Sequence, residues 1–246
     1  MFPLKKLFKI IIPKQWRLAL IFEFLKRKNK LDAEMFVAFN LCKNKRTAID
    51  VGSNNGLYSY FYSKKFDQVK SFEPFKMASE NLISAKIKNV EVFQYALSSS
   101  SGEAILYAPV ANNGSIIHSQ TSFNQLFEQN IQFHVVLRTL DSFEFQDVDM
   151  LKVDVEGHEQ HVLEGAVKTI RRCKPIILVE IEERHLGFSP ADTIEFIKKL
   201  GYESFVFIDN KLTKTSNFDY LSNQRNCVNS NNFDEYCNNF IFLPIN

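Results

Sequence analysis

The stretch TAIDVGSNNGLYSYFY at residues 47–62 sets an acid and two glycines where an apolar strand gives way to a helix. Asp50 stands two residues ahead of Gly52, and Ser53, Asn54 and Asn55 separate Gly52 from Gly56. Glycines at such a turn let the backbone bend tightly and let a ligand approach the chain. The following helix offers unsatisfied N–H groups and a partial positive charge. A dinucleotide-binding turn reads G-x-G-x-x-G, with its second glycine against the pyrophosphate. The spacing here is G-x-x-x-G, and the acid in front suits a ligand with a positive end, an ammonium or a sulfonium. Asp50, Gly52, Ser53, Asn54 and Gly56 are therefore the first candidate binding residues.

Three further groups extend this site. Val69–Phe72 reads as a strand ending in Glu73, 23 residues after Asp50. A carboxylate about 20 residues past the glycine-rich turn accepts the ribose hydroxyls of a nucleoside ligand. Pro74 ends that strand and opens the next helix. The strand after it ends near Ala96 and Leu97, placed to flank a flat base by backbone and apolar contacts. Finally, LKVDVEGHE at 151–159 puts Lys152, Asp154 and Glu156 at alternate positions, on one face of a strand. Three charges on a central strand need partners or a function. His158 and His161 stand at i, i+3 rather than the i, i+4 of a zinc-protease helix, so no metal site is expected.

The elements that must hold these residues alternate. Strands are expected at Thr47–Val51, Val69–Phe72, Val90–Ala96, Met150–Val155 and Ile176–Ile181. Helices are expected at Asp32–Lys43, Leu57–Lys65, Phe75–Lys86, Glu159–Arg172 and Ala191–Leu200. This rhythm implies βαβ units and a mainly parallel sheet. Residues 98–140 break it, with short strands at Ala104–Tyr107 and His134–Leu137. A long insertion of this kind is usually a lid or binding loop, and Asn112, Asn113, Ser115 and His118 give it short polar side chains. Asp209–Asn239, with nine Asn in 31 residues, reads as a long loop leading from Ser204–Ile208 to a last strand, Phe240–Leu243.

The chain has 246 residues, 45% of them apolar and 24% charged, as expected for a soluble globular protein. No apolar run reaches the roughly 18 residues of a membrane span. The net charge of +2 does not suggest a nucleic-acid partner. That charge is unevenly placed: residues 1–30 hold nine Lys/Arg and one acid, against 21 basic and 27 acidic groups in the rest. Pro13 divides this basic segment. Lys14–Lys28 reads as an amphipathic helix with Trp16, Leu20 and Phe24 at i, i+4, i+8. It is either a membrane-surface or partner-binding helix, or a cap on the main domain with its basic face in water. The expected organisation is a basic segment at 1–30 and one domain at 31–246. The segment lacks the features of a secretory signal. Four scattered cysteines without a CxxC pair fit reduced thiols. A cytoplasmic protein, peripheral at the inner face of a membrane if the basic segment binds lipid, is expected.

IDVGSNNG at 49–56, SFEPF at 71–75, YALSSSSGE at 95–103, RTLDSF at 138–143, LKVDVEGHE at 151–159, VLEGA at 162–166 and KPIILVEIE at 174–182 occur in order. In these the chain resembles the FkbM-type S-adenosylmethionine-dependent methyltransferases. The resemblance implies the class I methyltransferase (Rossmann-like) α/β fold: seven mainly parallel strands, an antiparallel last strand and helices on both faces. It also implies methyl transfer to a hydroxyl oxygen of a sugar, glycan or other polyhydroxylated small molecule. Asp50, Gly52, Asn54 and Gly56 would surround the methionine end of S-adenosylmethionine. Glu73 would bind the ribose, Ala96 and Leu97 the adenine, and Asp154 would close the site beside the sulfonium. Glu156 and His158, just beyond the strand end, are the base candidates; Glu156 lies within the family pattern and is preferred, with Glu180 in reserve. Two rival readings remain. An NAD-dependent nucleotide-sugar oxidoreductase or epimerase would need G-x-G-x-x-G and a Tyr-x-x-x-Lys pair, whose spacing occurs only at Tyr60 and Lys64. The other rival is a non-catalytic scaffold of the same fold.

Overall fold

The computed structural model describes residues 12–111, 114, 116, 117, 121–123, 130–182, 190–217, 224, 227 and 236–245. The first elements are helices α1 (Lys14–Arg27) and α2 (Ala33–Leu41), then β1 (Thr47–Val51), α3 (Leu57–Ser63), β2 (Gln68–Phe72), α4 (Glu80–Ala85) and β3 (Val90–Phe93). A short β4 (Ala96–Leu97) and the long β5 (Gly102–Pro109) and β6 (Asn130–Arg138) follow. The second half runs β7 (Val148–Val153), α5 (Glu159–Glu164), α6 (Val167–Cys173), β8 (Ile176–Glu180), α7 (Pro190–Lys199), β9 (Tyr202–Ile208), β10 (Lys211–Lys214) and β11 (Asn239–Pro244).

The main sheet has the order β10-β9-β11-β8-β7-β1-β2-β3. β1 pairs in parallel with β2 and β7, and β7 with β8. β11 runs antiparallel between β8 and β9. All five residues of β1 are buried, because helices cover both faces of the sheet. Ile49, Val51, Leu151, Val153, Ile177 and Val179 pack on one side with residues of α5, α6 and α7. Ala48, Met150, Leu178 and Ile241 pack on the other with Phe22 of α1, Met35 and Ala38 of α2, and Phe61 of α3. This is the class I methyltransferase fold.

The sheet holds eight strands rather than seven. The extra one, β10, folds back on β9 across Asp209 and Asn210, both with left-handed φ (51° and 58°). A two-residue turn with both φ positive is the tight hairpin turn that Asp and Asn favour. The expected loop at Asp209–Asn239 therefore begins as a hairpin. The strand expected at Val90–Ala96 divides: β3 stays in the main sheet, while β4 joins β5 and β6 in a separate three-stranded sheet. The helix expected at Glu159–Arg172 divides at Gly165, whose backbone meets the Ser98 carbonyl so closely that a Cβ would sit 2.0 Å from it. The helix expected from Phe75 begins only at Glu80. Among the described residues no helix is long and apolar enough to cross a membrane.

Candidate active site

β1 has its neighbours β2 and β7 on opposite sides, and chain direction in the sheet order reverses there. Ligands of open α/β sheets bind at this crevice, beyond the carboxyl ends of the strands. A cavity of about 260 Å³ lies there. The first turn lines it with Gly52 and Asn54, the end of β2 with Glu73 and Pro74, and β4 with Ala96 and Leu97. Asp154 and Glu156, past β7, and Glu180, at the end of β8, complete the acidic side. Leu106, Thr121 and Phe123 reach it from the insertion.

Gly52 makes the turn possible. Its φ is +74°, and a Cβ would fall 1.7 Å from the Asp154 carbonyl oxygen. The N–H groups of Gly52 and Ser53 donate to the Phe72 carbonyl at 2.9 and 3.1 Å, and that of Asp154 donates to Val51 at 3.0 Å. Three strand ends are thereby tied at one point. Gly56 has a different task. Its φ is +86°, and a Cβ would lie 2.7 Å from Leu82 Cβ, so it serves close packing against α4. Neither Gly56 nor Ser53 lines the cavity; the Ser53 hydroxyl is buried without a hydrogen-bond partner among the described residues.

Glu73 is buried and accepts the N–H groups of Asn54 and Phe75, each at 2.9 Å. Burial pushes its carboxyl up to about 7 against the pull of those two bonds. The side chain thus braces the first turn and also faces the cavity.

Asp50 lies lower than the sequence suggests. It is fully buried beneath the turn and does not line the cavity. Its Oδ2 accepts the Ser59 hydroxyl at 2.6 Å, and its Oδ1 is 3.8 Å from Lys152 Nζ. Lys152 Nζ also donates to Asp154 Oδ2 at 2.8 Å and sits 4.4 Å over the Tyr58 ring. Burial works against the ammonium, but Asp154 and Asp50 outweigh it and hold its pKa above the ordinary value. Asp50, Lys152 and Asp154 thus form an acid–base–acid row, buried at Asp50 and Lys152 and reaching the cavity at Asp154. The strand ends at Val153, so Asp154 and Glu156 belong to the loop beyond it.

Glu156 takes a left-handed φ of 51°, and its carbonyl accepts the Ser122 hydroxyl at 3.3 Å. His158 is not among the cavity's lining residues. Its Nε2 lies 3.0 Å from Ser98 Oγ, and its ring stacks on His161 and packs against Phe123, each at 4.4 Å. Burial, and then the charge of His161, lower its pKa to about 4. Among the described residues no group of His, Cys, Asp and Glu is arranged to hold a metal ion.

A histidine depressed in this way stabilises the fold above its unfolded pKa of about 6.5, and the contribution is lost as pH falls through about 4. Wild type is therefore expected to lose about 2–3 kcal/mol more than His158→Gln between pH 7 and pH 4. Parallel denaturant titrations at several pH values measure the difference, and parallel curves would contradict it.

Sequence reasoning missed the cavity residues that come from elsewhere: Tyr95, Leu106, Thr121 and Phe123. It also missed Glu159, whose Oε1 accepts the N–H groups of Val155 and Gly157 and so shapes the loop that carries Glu156. An acid at the first position of a helix is the signal that marks such a role. Tyr60 and Lys64 contact each other, Nζ lying 4.3 Å over the ring, and Tyr60 packs on Phe22 away from the cavity. Asn112, Asn113, Ser115 and His118 lie outside the described residues.

A sequence profile of the Methyltransferase FkbM domain matches residues 50–204. The chain belongs to the FkbM methyltransferase family. It is 32% identical over 155 residues to the hexuronic acid methyltransferase AglP of Haloferax volcanii, which is 61% of this chain and 60% of AglP. The chain thus spans less than two thirds of that relative. It is 25% identical over 170 residues to Methyltransferase 1 of Beauveria bassiana, covering 59% of this chain and 68% of that one. The crystal structure of an FkbM methyltransferase from Methylobacillus flagellatus KT shares the fold, with a TM-score of 0.50 at 13% identity over 81% of this chain and 43% of that one.

Proposed function

We propose that this FkbM methyltransferase uses S-adenosylmethionine to methylate a hydroxyl of a sugar, glycan or similar polyhydroxylated acceptor. The observation that carries the reading is Glu73, a buried carboxylate at the end of β2 that faces the cavity beside the G-x-x-x-G turn. A carboxylate there accepts paired ribose hydroxyls, and the turn lacks the second glycine that a pyrophosphate needs. The residues fit the nucleoside: Ala96 and Leu97 give the apolar wall for adenine, and Gly52, Asn54 and Asp154 remain for the amino-acid end. Asp50 acts from beneath, through Lys152. The sugar acceptor is supported by AglP, whose name states a hexuronic acid substrate.

When bound, the cofactor supplies a methyl group activated by its sulfonium. The chain's own residues do the rest. Asp154, held by Lys152, sets a negative charge on the cavity wall. Glu156 takes the proton of the acceptor hydroxyl, and its place on the lining favours it over His158. Strands β5 and β6, within residues 98–140, form part of a lid over the acceptor, and Leu106, Thr121 and Phe123 on the cavity lining limit access of water.

Glu73→Ala is expected to weaken binding of S-adenosylhomocysteine by about 1.5–3 kcal/mol, the range for hydrogen bonds to a charged group. Calorimetry on wild type and variant, with NAD as the competing ligand, tests the reading. Tighter binding of NAD than of S-adenosylhomocysteine would overturn it. Cofactor binding without turnover on any glycan acceptor would favour a scaffold instead.

A further inference from the structure

We infer that α1 is a docking surface for the face of an anionic lipid bilayer. The helix has two apolar stripes, and the fold uses only one. Leu18 is fully buried and Phe22 nearly so, with the Phe22 ring 5.2 Å from Tyr60 and 6.3 Å from Phe61 of α3. At 100° per residue, Trp16, Leu20 and Phe24 fall on the opposite side. They are 58%, 45% and 59% exposed, the largest apolar stripe left in water along a single helix of the described residues. Burial of Leu18 and Phe22 holds α1 in this orientation, and Lys14 Nζ also meets Glu80 Oε1 of α4 at 2.6 Å. Ile83, one turn further along α4, adds another exposed apolar side chain at 43%.

The charge around the stripe says what covers it. Lys14, Lys26, Arg27, Lys28 and Lys30 are all exposed. In sequence, residues 1–30 hold nine basic groups and one acid, while residues 31–246 hold 21 basic and 27 acidic. An anionic surface therefore attracts this end and repels the remainder, which fixes one orientation. Aromatic side chains flanked by Lys and Arg suit the boundary between headgroups and acyl chains, where Trp sits with its amphipathic ring. A helix of 14 residues is too short to span a bilayer and lies in its plane. A second copy of the chain is a poorer occupant, since it would bring two strongly basic segments together. The inference stands independently of the methyl-transfer reading.

Trp16 is the only tryptophan in the chain, so its emission reports the docking directly. The full chain is mixed with phosphatidylcholine vesicles containing about 30% phosphatidylserine, and with vesicles of phosphatidylcholine alone. The expected result is flotation and a blue-shifted Trp16 emission with the anionic vesicles, roughly tenfold weaker or less with the neutral ones, and weakened by salt. The triple variant Trp16→Ser, Leu20→Ser, Phe24→Ser should float at least about tenfold less while keeping the wild-type melting temperature, since all three side chains are exposed. Absence of flotation by the full chain, or equal flotation by the triple variant, would overturn the inference. So would a dimer that buries Trp16 without lipid, seen as a concentration-dependent mass in light scattering that the triple variant abolishes.

Discussion

Glu156→Gln is expected to lower turnover on a hydroxyl acceptor by about 10²–10⁴-fold, the usual cost of a lost general base. The substitution keeps the size of the side chain and the left-handed backbone at φ 51°, so the loop after β7 should hold its shape. Affinity for S-adenosylhomocysteine should barely change, because Glu73 and the first turn are untouched. An effect on turnover without one on cofactor binding is the signature of a group acting on the acceptor proton. Rate measurements at saturating cofactor, with calorimetry on the same preparation, give both numbers. Near-normal turnover would leave Glu180 or solvent to accept the proton. Glu180 is the weaker choice on its surroundings: burial, and then Asp154, push its carboxyl well above the ordinary range, and Asn238 donates to it and to Glu182.

Lys152→Met is expected to destabilise the protein by about 3–5 kcal/mol, the cost of removing one partner of a buried ion pair. The ammonium is the cation that Asp50 and Asp154 share, and Asp50 has no exposure to water. Burial already raises the Asp50 carboxyl, with Lys152 and the Ser59 hydroxyl opposing the rise. Without Lys152 the rise becomes larger. The folded-state pKa then lies further above the unfolded value, so stability falls as pH rises through it. The variant should therefore be nearest to wild type in acid and furthest from it at neutral pH and above. Denaturant unfolding at several pH values measures this. Adding Asp50→Asn to Lys152→Met should restore a substantial part of the loss, since the stranded charge is then gone. A Lys152→Met protein within about 1 kcal/mol of wild type at neutral pH would show that the buried row contributes little.

Much of the site could be read from the chain because it is built from strand ends. A residue that follows an apolar strand in a parallel sheet must lie at the carboxyl edge. Gly52, Asn54, Glu73, Pro74, Ala96, Leu97, Asp154 and Glu156 all line the cavity for that reason. The strand Thr47–Val51 has the expected bounds, since the apolar Ala48, Ile49 and Val51 lie between Arg46 and the turn-forming Gly52. Depth was not legible. Asp50 and Glu73 look alike in sequence, each an acid near a strand end. Asp50 lies inside β1 and turns down to Ser59 and Lys152, whereas Glu73 lies just past β2 and faces the ligand space.

Local pattern determined the order of elements, the parallel sheet and the glycine turn that borders the cavity, because hydrophobic period and glycine spacing act over a few residues. It also determined the two-faced character of α1, but not which face would be used. Tertiary packing decided that: Leu18 and Phe22 meet the domain, and the Trp16–Leu20–Phe24 stripe is left in water. Packing likewise brought Leu106, Thr121 and Phe123 to the cavity and turned His158 away to Ser98 and Phe123. Contacts of that kind join residues 60 positions apart, as Ser98 and His158 are. Their partners are set by how whole layers fit together, which no local period encodes.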